Sequence, residues 1–445
     1  MQFQLNFTRV NGIIMRTNDR YFTLLFSAFL IPSILWLLSF PTTTVEHHAY
    51  PLLVYASQLL AIVGFTLFAI SFILTSRIKP IEKYFGGLDK LYKKHQHIGK
   101  IAFILLLLHP ILLSLRWFPE NIEKMFWFLL PLHKKIEVNL GSWALIGLTI
   151  LLALTIVVKL PYDKWKITHK FMGLIFLVGI IHLFSINNFY ANNFYLAIYL
   201  SLISIVSLTA FIYKSIFEKW LVKKHPFIVT KIQNLNDQVM EVSLKNSSIE
   251  FEYIPGQFCF FQFIHNDISM ESHPYTICGG STEGEIRVLI KSLGDYTTNL
   301  HEKLTLNTAA LVEGPYGYFD YRKGKNKQVW IAGGVGIAPF ISWSRDFKNH
   351  DISALDIDFY YCVNNTAEAY HLHEFEKLEK SLPNFHLFLS CSDRTGFING
   401  KDINNTKDRT IYICGPSEMS KSLTKDFKAA NIKEDNIIFE DFDFM

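Results

Sequence analysis

The chain has 445 residues, half of them hydrophobic and 18% charged, with a formal net charge of +4. That length accommodates two or three domains, or a membrane domain with a globular one attached. A few basic loops account for the small positive charge, which leaves little support for nucleic-acid binding, and five cysteines without a CxxC pair point to reduced thiols rather than a disulfide or zinc framework.

In chain order, six apolar runs come first, between residues 21 and 216. A bilayer core needs roughly 20 apolar residues per helix, and the runs predict membrane helices near 21–40, 52–75, 97–116, 139–158, 167–186 and 193–214. The first lacks a convincing small-residue cleavage site and reads as a retained anchor. Basic residues in the short loops set the orientation. Arg9, Arg16 and Arg20 precede the first helix, and Arg77, Lys79, Lys83, Lys90, Lys93 and Lys94 lie between the second and third. Lys159, Lys164 and Lys166 lie between the fourth and fifth, while Lys214, Lys219, Lys223 and Lys224 follow the sixth. The alternate loops 41–51 and 187–192 hold no Lys or Arg, and 117–138 holds three lysines. The expectation is a multi-pass protein of the cell membrane with both termini and the C-terminal half in the cytoplasm.

The third run, "HQHIGKIAFILLLLH", places His95 and His109 fourteen positions apart. On an ideal helix that is about 40° short of four turns with a rise of roughly 21 Å, so both imidazoles project from one face at opposite depths. In "HKFMGLIFLVGIIH", His169 and His182 are thirteen positions apart, roughly 20 Å of rise but about 140° in azimuth. A tightened turn near Gly173 or Gly179, or helix tilt, is needed to bring them round. Both helices run from inside to outside, so His95 shares a level with His169 and His109 with His182. Two neutral imidazoles facing each other suit the axial positions of a six-coordinate haem iron. Two such levels predict two stacked haems, one near each membrane face. A single membrane histidine is more often a polar residue hydrogen-bonded between helices; four of them, paired by depth, favour the ligand reading. The predicted helices hold no Asp or Glu, which counts against a proton-coupled transporter. A metal transporter using the histidines as transport ligands is the alternative from another class.

From about residue 225, the alternating runs "FIVTKIQ", "QVMEVSLK", "GQFCFFQFI" and "EIRVLIK" predict a small antiparallel barrel. Within it lie "SHPYTICGG" and "KSLGDYTTNL". An aromatic ring with a neighbouring hydroxyl suits a flavin, and a glycine followed by threonine at a helix start suits a pyrophosphate. Taken alone, Tyr275 also reads as core and GDYTT as a plain N-cap. The last third alternates strand and helix. "KQVWIAGGVGIAPFISW" is a strand, a turn with Gly333, Gly334 and Gly336, and a helix start; "DIDFYYCV", "FHLFLSCS", "TIYICGP" and "NIIFEDF" are further strands of a parallel nucleotide-binding sheet. The turn is not a strict GxGxxG, yet it gives the close backbone approach that a dinucleotide pyrophosphate requires; a tight strand–helix turn is the alternative. Arg394, after "FHLFLSCS", stands where an arginine can pair with a 2′-phosphate, or else is a solvated loop residue. The expected division is a membrane bis-haem domain at 1–220, an FAD barrel at 221–322 and an NAD(P)H-binding α/β domain at 323–445.

Taken together, H-x13-H, H-x12-H, "HPYT", "GDYT", "GGVGIAP", "CGP" and the aromatic C-terminus resemble the NADPH oxidase and ferric reductase family of transmembrane flavocytochromes over nearly the whole chain. The resemblance implies a helical membrane bundle followed by a ferredoxin-reductase-like module. It implies that His273, Pro274, Tyr275 and Thr276 hold the flavin of FAD, with Gly294 and Thr297 at its pyrophosphate. Gly334 and Gly336 would receive NADPH or NADH, Cys414, Gly415 and Pro416 would line the nicotinamide side, and Phe442 would cover the flavin ring. With no EF-hand loop ahead of the membrane domain, calcium control is not expected, nor is an obligatory protein partner. The expected activity is electron transfer from cytoplasmic NAD(P)H through FAD and two haems b to an external acceptor, most simply dioxygen giving superoxide. The alternatives are a ferric chelate or an external partner protein as acceptor.

Overall fold

The computed structural model describes residues 17–38, 50–158, 160–186, 194–217, 222–246, 251–279, 285–350 and 352–440. Phe442 lies outside them, as do Arg9, Arg16, Lys159 and Lys219. The chain folds as two compact units. One is Met1–Phe85 with Lys94–Val158 and Thr168–Phe211; the other is Gly86–Lys93 with Lys159–Ile167 and Ile212–Met445.

The first unit is helical. The helices of the N-terminal half, of which α4, α7 and α9 have one end assigned to the second unit, are α1 (Thr17–Leu38), α2 (Pro51–Leu74), the short α3 (Lys79–Phe85), α4 (Leu88–Leu115), the short α5 (Ile122–Phe128), α6 (Ile136–Ile156), α7 (Tyr162–Lys170), α8 (Met172–Ser185) and α9 (Phe194–Ser215). Among the described residues, six spans are long and apolar enough to cross a membrane, with α7 and α8 together making the fifth. They are apolar all round rather than along one stripe, as lipid on one side and protein on the other allow. Pro51 opens α2 at the position where its missing N–H has no helical partner to lose. α4 begins at Leu88 rather than near 97: Gly86 and Gly87 take positive φ and end α3, Asp89 suits the positive end of the new helix, and Leu88 and Leu91 are fully buried. Phe176 of α8 is buried among Phe65, Phe68 and Phe72 of α2, with ring centres 4.9 to 5.4 Å away. In lipid, such close packing rather than water exclusion holds helices together.

The fifth span is tightened at Phe171. Its N–H donates to Thr168 O at 3.1 Å, an i→i−3 bond that separates α7 from α8. Each tightened residue turns roughly 20° further than an α-helical one, so the turn brings His182 towards the face of His169. The tightening falls just before Gly173 rather than at it. Gly173 packs directly on the Phe211 ring, with no space for a Cβ.

In the second unit, β1 (Lys224–Asn234), β2 (Val239–Asn246), β3 (Phe258–Ile264), β4 (His273–Thr276), β5 (Glu285–Lys291) and β6 (Ala309–Tyr316) form an antiparallel sheet in the order β4-β3-β6-β1-β2-β5. An antiparallel bridge between Ile277 and Val288 joins the two ends of that order, so the sheet closes. Helix α10 (Asp295–Lys303) lies between β5 and β6 in sequence. Met240, Val242 and Leu244 point into the barrel core. By strand alternation Glu241 and Ser243 point outward, and both are nonetheless buried.

The remaining elements are β7 (Lys327–Gly333), α11 (Ala338–Asp346), β8 (Asp356–Val363), α12 (Leu372–Ser381), β9 (Phe385–Cys391), α13 (Ser392–Thr395), β10 (Thr410–Cys414), α14 (Ser417–Ala429) and β11 (Ile437–Glu440). The strands make a parallel sheet in the order β11-β10-β7-β8-β9. β7 and β10 are buried almost throughout, as parallel strands covered on both faces must be. Trp330, Phe340, Trp343, Phe359 and Tyr412 fill the core beside them.

Candidate functional site

The direction of chain progression reverses between β7 and β10, the switch point at which open α/β sheets leave a crevice beyond their strand ends. Two glycine turns meet there. A Cβ on Gly336 would stand 2.6 Å from Cys414 C and 2.7 Å from Gly415 Cα. One on Gly333 would stand 2.8 Å from Pro416 Cδ, and one on Gly415 would stand 2.9 Å from Gly333 Cα. Gly334 adopts φ +54°, with open space where its side chain would be. The "GGVG" and "CGP" turns are thus fitted backbone to backbone, and Cys414 is buried beneath them. Arg394 is exposed on α13, beyond β9.

The "HPYT" motif is the strand β4 itself. His273 stacks on Tyr296 with ring centres 4.1 Å apart at 15°, and its Nε2 lies 2.8 Å from Glu271 Oε2. Burial holds the His273 imidazole below its ordinary value, against the opposing pull of Glu271. Pro274 and Thr276 are buried. The hydroxyls of Tyr275 and Tyr296 are buried without a hydrogen-bond partner among the described residues, and burial pushes both phenols up. Gly294 caps α10 with nothing within 4 Å of its missing side chain. Thr297 Oγ1 accepts from the N–H of Leu293 (2.9 Å) and of Gly294 (3.1 Å), so that hydroxyl serves the cap. Two orphaned buried donors beside an open helix start fit a flavin with its pyrophosphate. Glu440, two residues before Phe442 in the sequence, is buried with Oε2 unpartnered among the described residues; burial, then the neighbouring Asp89, pushes its carboxyl well up.

The four membrane histidines come together in pairs. The rings of His95 and His169 are 6.1 Å apart, centre to centre, at 78°. His109 and His182 both line a cavity of about 780 Å³, with Gly141, Gly179, Trp36 and Phe176 among its other walls. The outer nitrogens are committed to the protein: His95 Nδ1 lies 3.0 Å from Ser71 O, His182 Nδ1 2.6 Å from Glu137 O, and His109 Nδ1 3.1 Å from Ser57 O and 2.7 Å from Ser57 Oγ, whose own hydrogen goes to His109 O. A carbonyl can only accept, so each Nδ1 carries the hydrogen and each Nε2 keeps its lone pair for a metal. Gly141 is where it is because a Cβ there would stand 2.7 Å from His182 Cε1. These donors and this space fit a haem. His97, close to His95 in sequence, instead pairs through Nδ1 with Tyr21 Oη at 2.6 Å.

Sequence reasoning did not find the carbonyl partners, the part played by Gly141, or a buried charged network at Glu241, Arg345, His371 and Glu374. The carbonyls carry no residue-type signal. The network's members are spread over more than a hundred residues, with Glu241 on the antiparallel barrel and the other three on or beside helices of the parallel sheet.

The chain thus combines a helical unit carrying paired histidines with a closed antiparallel barrel and a parallel sheet whose glycine turns border a crevice. Three family models match in that order: ferric reductase like transmembrane component at residues 60–180, FAD-binding domain at 225–320, and oxidoreductase NAD-binding domain at 330–425. That order of three domains resembles the NADPH oxidase and ferric reductase flavocytochromes. Among curated proteins it is similar to one component, F, of the Na(+)-translocating NADH-quinone reductase of Marinomonas sp., 31% identical over 147 residues, covering 29% of this chain and 36% of that one. The same component from Klebsiella pneumoniae is 30% identical with the same coverage. The chain thus spans little more than a third of the length of these relatives. Solved structures similar to it include ferredoxin-NADP+ reductase from Plasmodium falciparum, 21% identical with TM-score 0.42, covering 49% of this chain and 98% of that one. The Amycolatopsis cytochrome P450 reductase GcoB is 18% identical with TM-score 0.43, covering 50% and 70%.

Proposed function

We propose that the chain moves electrons from cytoplasmic NAD(P)H, by way of FAD and two haems b, across the cell membrane to an external acceptor, and that this acceptor is dioxygen, yielding superoxide. The observation that carries the reading is the facing pair His95 and His169, with ring centres 6.1 Å apart. When bound, FAD takes the nicotinamide's electron pair together and the haems carry electrons singly. In this reading residues 1–220 hold the haems, 221–322 the FAD and 323–445 the nucleotide.

The chain's own groups have separate tasks. Gly333, Gly334, Gly336 and Gly415 leave backbone approachable for a pyrophosphate, with Cys414 and Pro416 at the nicotinamide side and Arg394 available to a 2′-phosphate. Tyr275 and Tyr296 offer buried O–H donors, and His273, kept neutral by burial, lies flat on Tyr296. By the resemblance, Phe442, outside the described residues, would be the aromatic that covers the flavin ring. Ser71, Ser57 and Glu137 fix the tautomer and ring direction of His95, His109 and His182 through their carbonyls. Were His109 and His182 both to hold the outer haem, they would leave its iron without a free position for oxygen. An acceptor then takes one electron at a time without coordinating, and dioxygen so reduced gives superoxide. The basic loops Arg77–Lys94 and Lys214–Lys224 support cytoplasmic termini.

The second reading keeps the path and changes the acceptor to a quinone, a ferric chelate or a partner protein. It is supported by the quinone reductase named among the relatives. The test is NADPH-driven reduction of cytochrome c by the purified protein with FAD added, with and without superoxide dismutase. Inhibition by dismutase with matching oxygen uptake supports dioxygen; dismutase-insensitive reduction with background oxygen uptake selects the second reading.

A further inference from the structure

α11 grows directly out of the glycine turn Gly334–Ile337, so its seating decides where that turn lies. Three of its side chains reach the barrel. Ser342 Oγ donates to Gly279 O at 3.3 Å, Trp343 Nε1 to Pro255 O at 3.1 Å, and Arg345 Nη1 to Cys278 O at 2.8 Å. Cys278 and Gly279 continue the chain just beyond β4, the strand of the flavin motif.

Arg345 is itself held from the other side. Its Nη2 and Nε donate to the two carboxylate oxygens of Glu374, at 2.8 and 3.1 Å, in the first turn of α12. Glu374 Oε1 lies 2.8 Å from His371 Nδ1, and His371 Nε2 lies 2.8 Å from Glu241 Oε2 on β2. The run Cys278–Arg345–Glu374–His371–Glu241 therefore leaves the barrel, crosses two helices of the nucleotide sheet and returns to the barrel. Glu374 is hydrogen-bonded at Nδ1, while Glu241 stands at ion-pair distance from Nε2 without hydrogen-bond alignment; a carboxylate beside each nitrogen favours the imidazolium. Glu241 is the outward-facing carboxylate buried on β2, and without a cation it would be costly there. His371 holds φ +54°, a conformation that glycine or asparagine adopts with less strain; its two ion pairs offset that strain. Next to it, the hydroxyl of Tyr370 accepts from Asn236 Nδ2 at 2.7 Å, docking the same segment on the β1–β2 hairpin.

We propose that His371 is a positioning residue for hydride transfer: bridging Glu241 and Glu374, it seats α11, and with it the glycine turn, against the strand that carries the flavin motif. This rests on the NAD(P)H-to-FAD reading above.

The charged and titratable groups around His371 are Glu241 from β2, Glu374 from α12, Arg345 from α11, Arg287 from β5, the Cys278 thiol, and Glu368, Tyr370 and His373 on its own segment. Burial works against the His371 cation, but Glu241 and Glu374 outweigh it, and the group is pushed up to about 9. Burial pushes the Cys278 thiol up, so it stays protonated over the same range. Burial also opposes ionisation of Glu241 and Glu374, yet His371 and Arg345 hold both below the usual carboxylate range. A group raised in this way contributes in full below its ordinary value and is lost as pH rises through about 9.

The experiment is anaerobic stopped-flow bleaching of the flavin by NADPH in the full-length, FAD-loaded protein, from pH 6 to 10. It compares wild type with His371→Asn, neutral and tolerant of the left-handed backbone, and His371→Arg, which keeps the charge. The expected wild-type rate constant is level to about pH 8 and falls with one inflection near 9. His371→Asn is expected to be slower by roughly tenfold at pH 7, with the half-saturating NADPH concentration little changed and no inflection. His371→Arg should recover the rate at pH 7 and keep it at pH 10. Parallel pH profiles in wild type and His371→Asn would overturn the proposal. Where both variants lose FAD, Glu241→Gln decides: the inflection moves to lower pH if His371 acts as proposed, and an unmoved inflection overturns it. Wild-type flavin that dithionite bleaches but neither NADPH nor NADH does would instead overturn the hydride-transfer reading itself.

Discussion

The rings of His95 on α4 and His169 on α7 face each other edge to face, 6.1 Å between centres. Two imidazoles sharing one metal, with bonds of roughly 2.0–2.1 Å, have ring centres roughly 6 Å apart. The 6.1 Å between centres is close to that spacing, and the bond from His95 Nδ1 to Ser71 O leaves the lone pair on Nε2. His95→Ala is expected to lower the haem content by one per chain, measured as the pyridine haemochrome. Flavin bleaching by NADPH should persist in that variant while cytochrome c reduction stops. Two haems per chain after the substitution would show that His95 is not a ligand.

Gly141 on α6 supports the second pair by having no side chain. A Cβ there would lie 2.7 to 3.0 Å from three atoms of the His182 ring, and that ring is anchored at Nδ1 by Glu137 O. Gly141→Ala must push the imidazole off its carbonyl or leave the helices apart, at a cost of about 1–3 kcal/mol. The expected result is selective loss of one haem, with the change in the redox titration confined to one of two steps.

Much of this was legible in the sequence because it is periodic or local. The six apolar spans needed only length and composition, and "DIDFYYCV" and "EIRVLIK" coincide with β8 and β5 because alternation and β-branched residues agree there. The first turns of α4 were hidden, since Asp89, Lys90, Lys93 and Lys94 read as a charged loop until the burial of Leu88 and Leu91 is known. The tightened turn between His169 and His182 is a single backbone bond, Phe171 N–H to Thr168 O, which no residue type announces. Tyr296 was visible inside "GDYT", but its stacking on His273 required α10 to fold back on β4. Thr297 is the opposite case: the local N-cap pattern already points to its hydroxyl's bonds with the Leu293 and Gly294 N–H groups.

Arg394 is exposed on a four-residue helix after β9. If it pairs with a 2′-phosphate, the bond is charge-assisted and worth about 1.5–3 kcal/mol. Arg394→Ala should then weaken NADPH roughly tenfold or more and leave NADH unchanged, and the loss should shrink as salt is raised. Titration with both nucleotides at two ionic strengths checks it. An intact preference would make Arg394 a solvated loop residue.

His273 ties acid sensitivity to the flavin site. Its imidazole is held below the ordinary value by burial, Glu271 only partly opposing. The unfolded chain thus binds a proton at this position before the folded one does, and stability rises with pH across that window. The contribution is present above the ordinary histidine value near 6.5 and is lost as pH falls towards the depressed one. FAD retention and thermal midpoint should decline from pH 7 to 5 in the wild type, and less steeply in His273→Asn. Equal slopes would assign the acid sensitivity elsewhere.

The glycine turn after β7 separates two requirements that sequence inspection merges. At Gly336 the constraint is space: a Cβ would lie 2.6 Å from Cys414 C and 2.7 Å from Gly415 Cα. Neither can yield, since Cys414 is paired to Ala332 of β7 on one side and to Glu440 of β11 on the other. At Gly334 the constraint is conformation alone, φ +54° with nothing within 4 Å. Gly336→Ala should therefore splay the two turns that form the crevice, raising the half-saturating NADPH concentration roughly tenfold or more. Gly334→Asn should be tolerated, because asparagine enters the left-handed region at little cost, whereas Gly334→Val should not, its branched side chain being excluded there. FAD content should stay near wild type in all three, since β4 and α10 do not depend on this turn for their own bonds. Flavin bleaching by NADPH, beside absorbance at the flavin band, measures both quantities on the same sample. If Gly336→Ala and Gly334→Asn behave alike, close backbone approach is not what the turn supplies, and its glycines would serve only to connect β7 to α11.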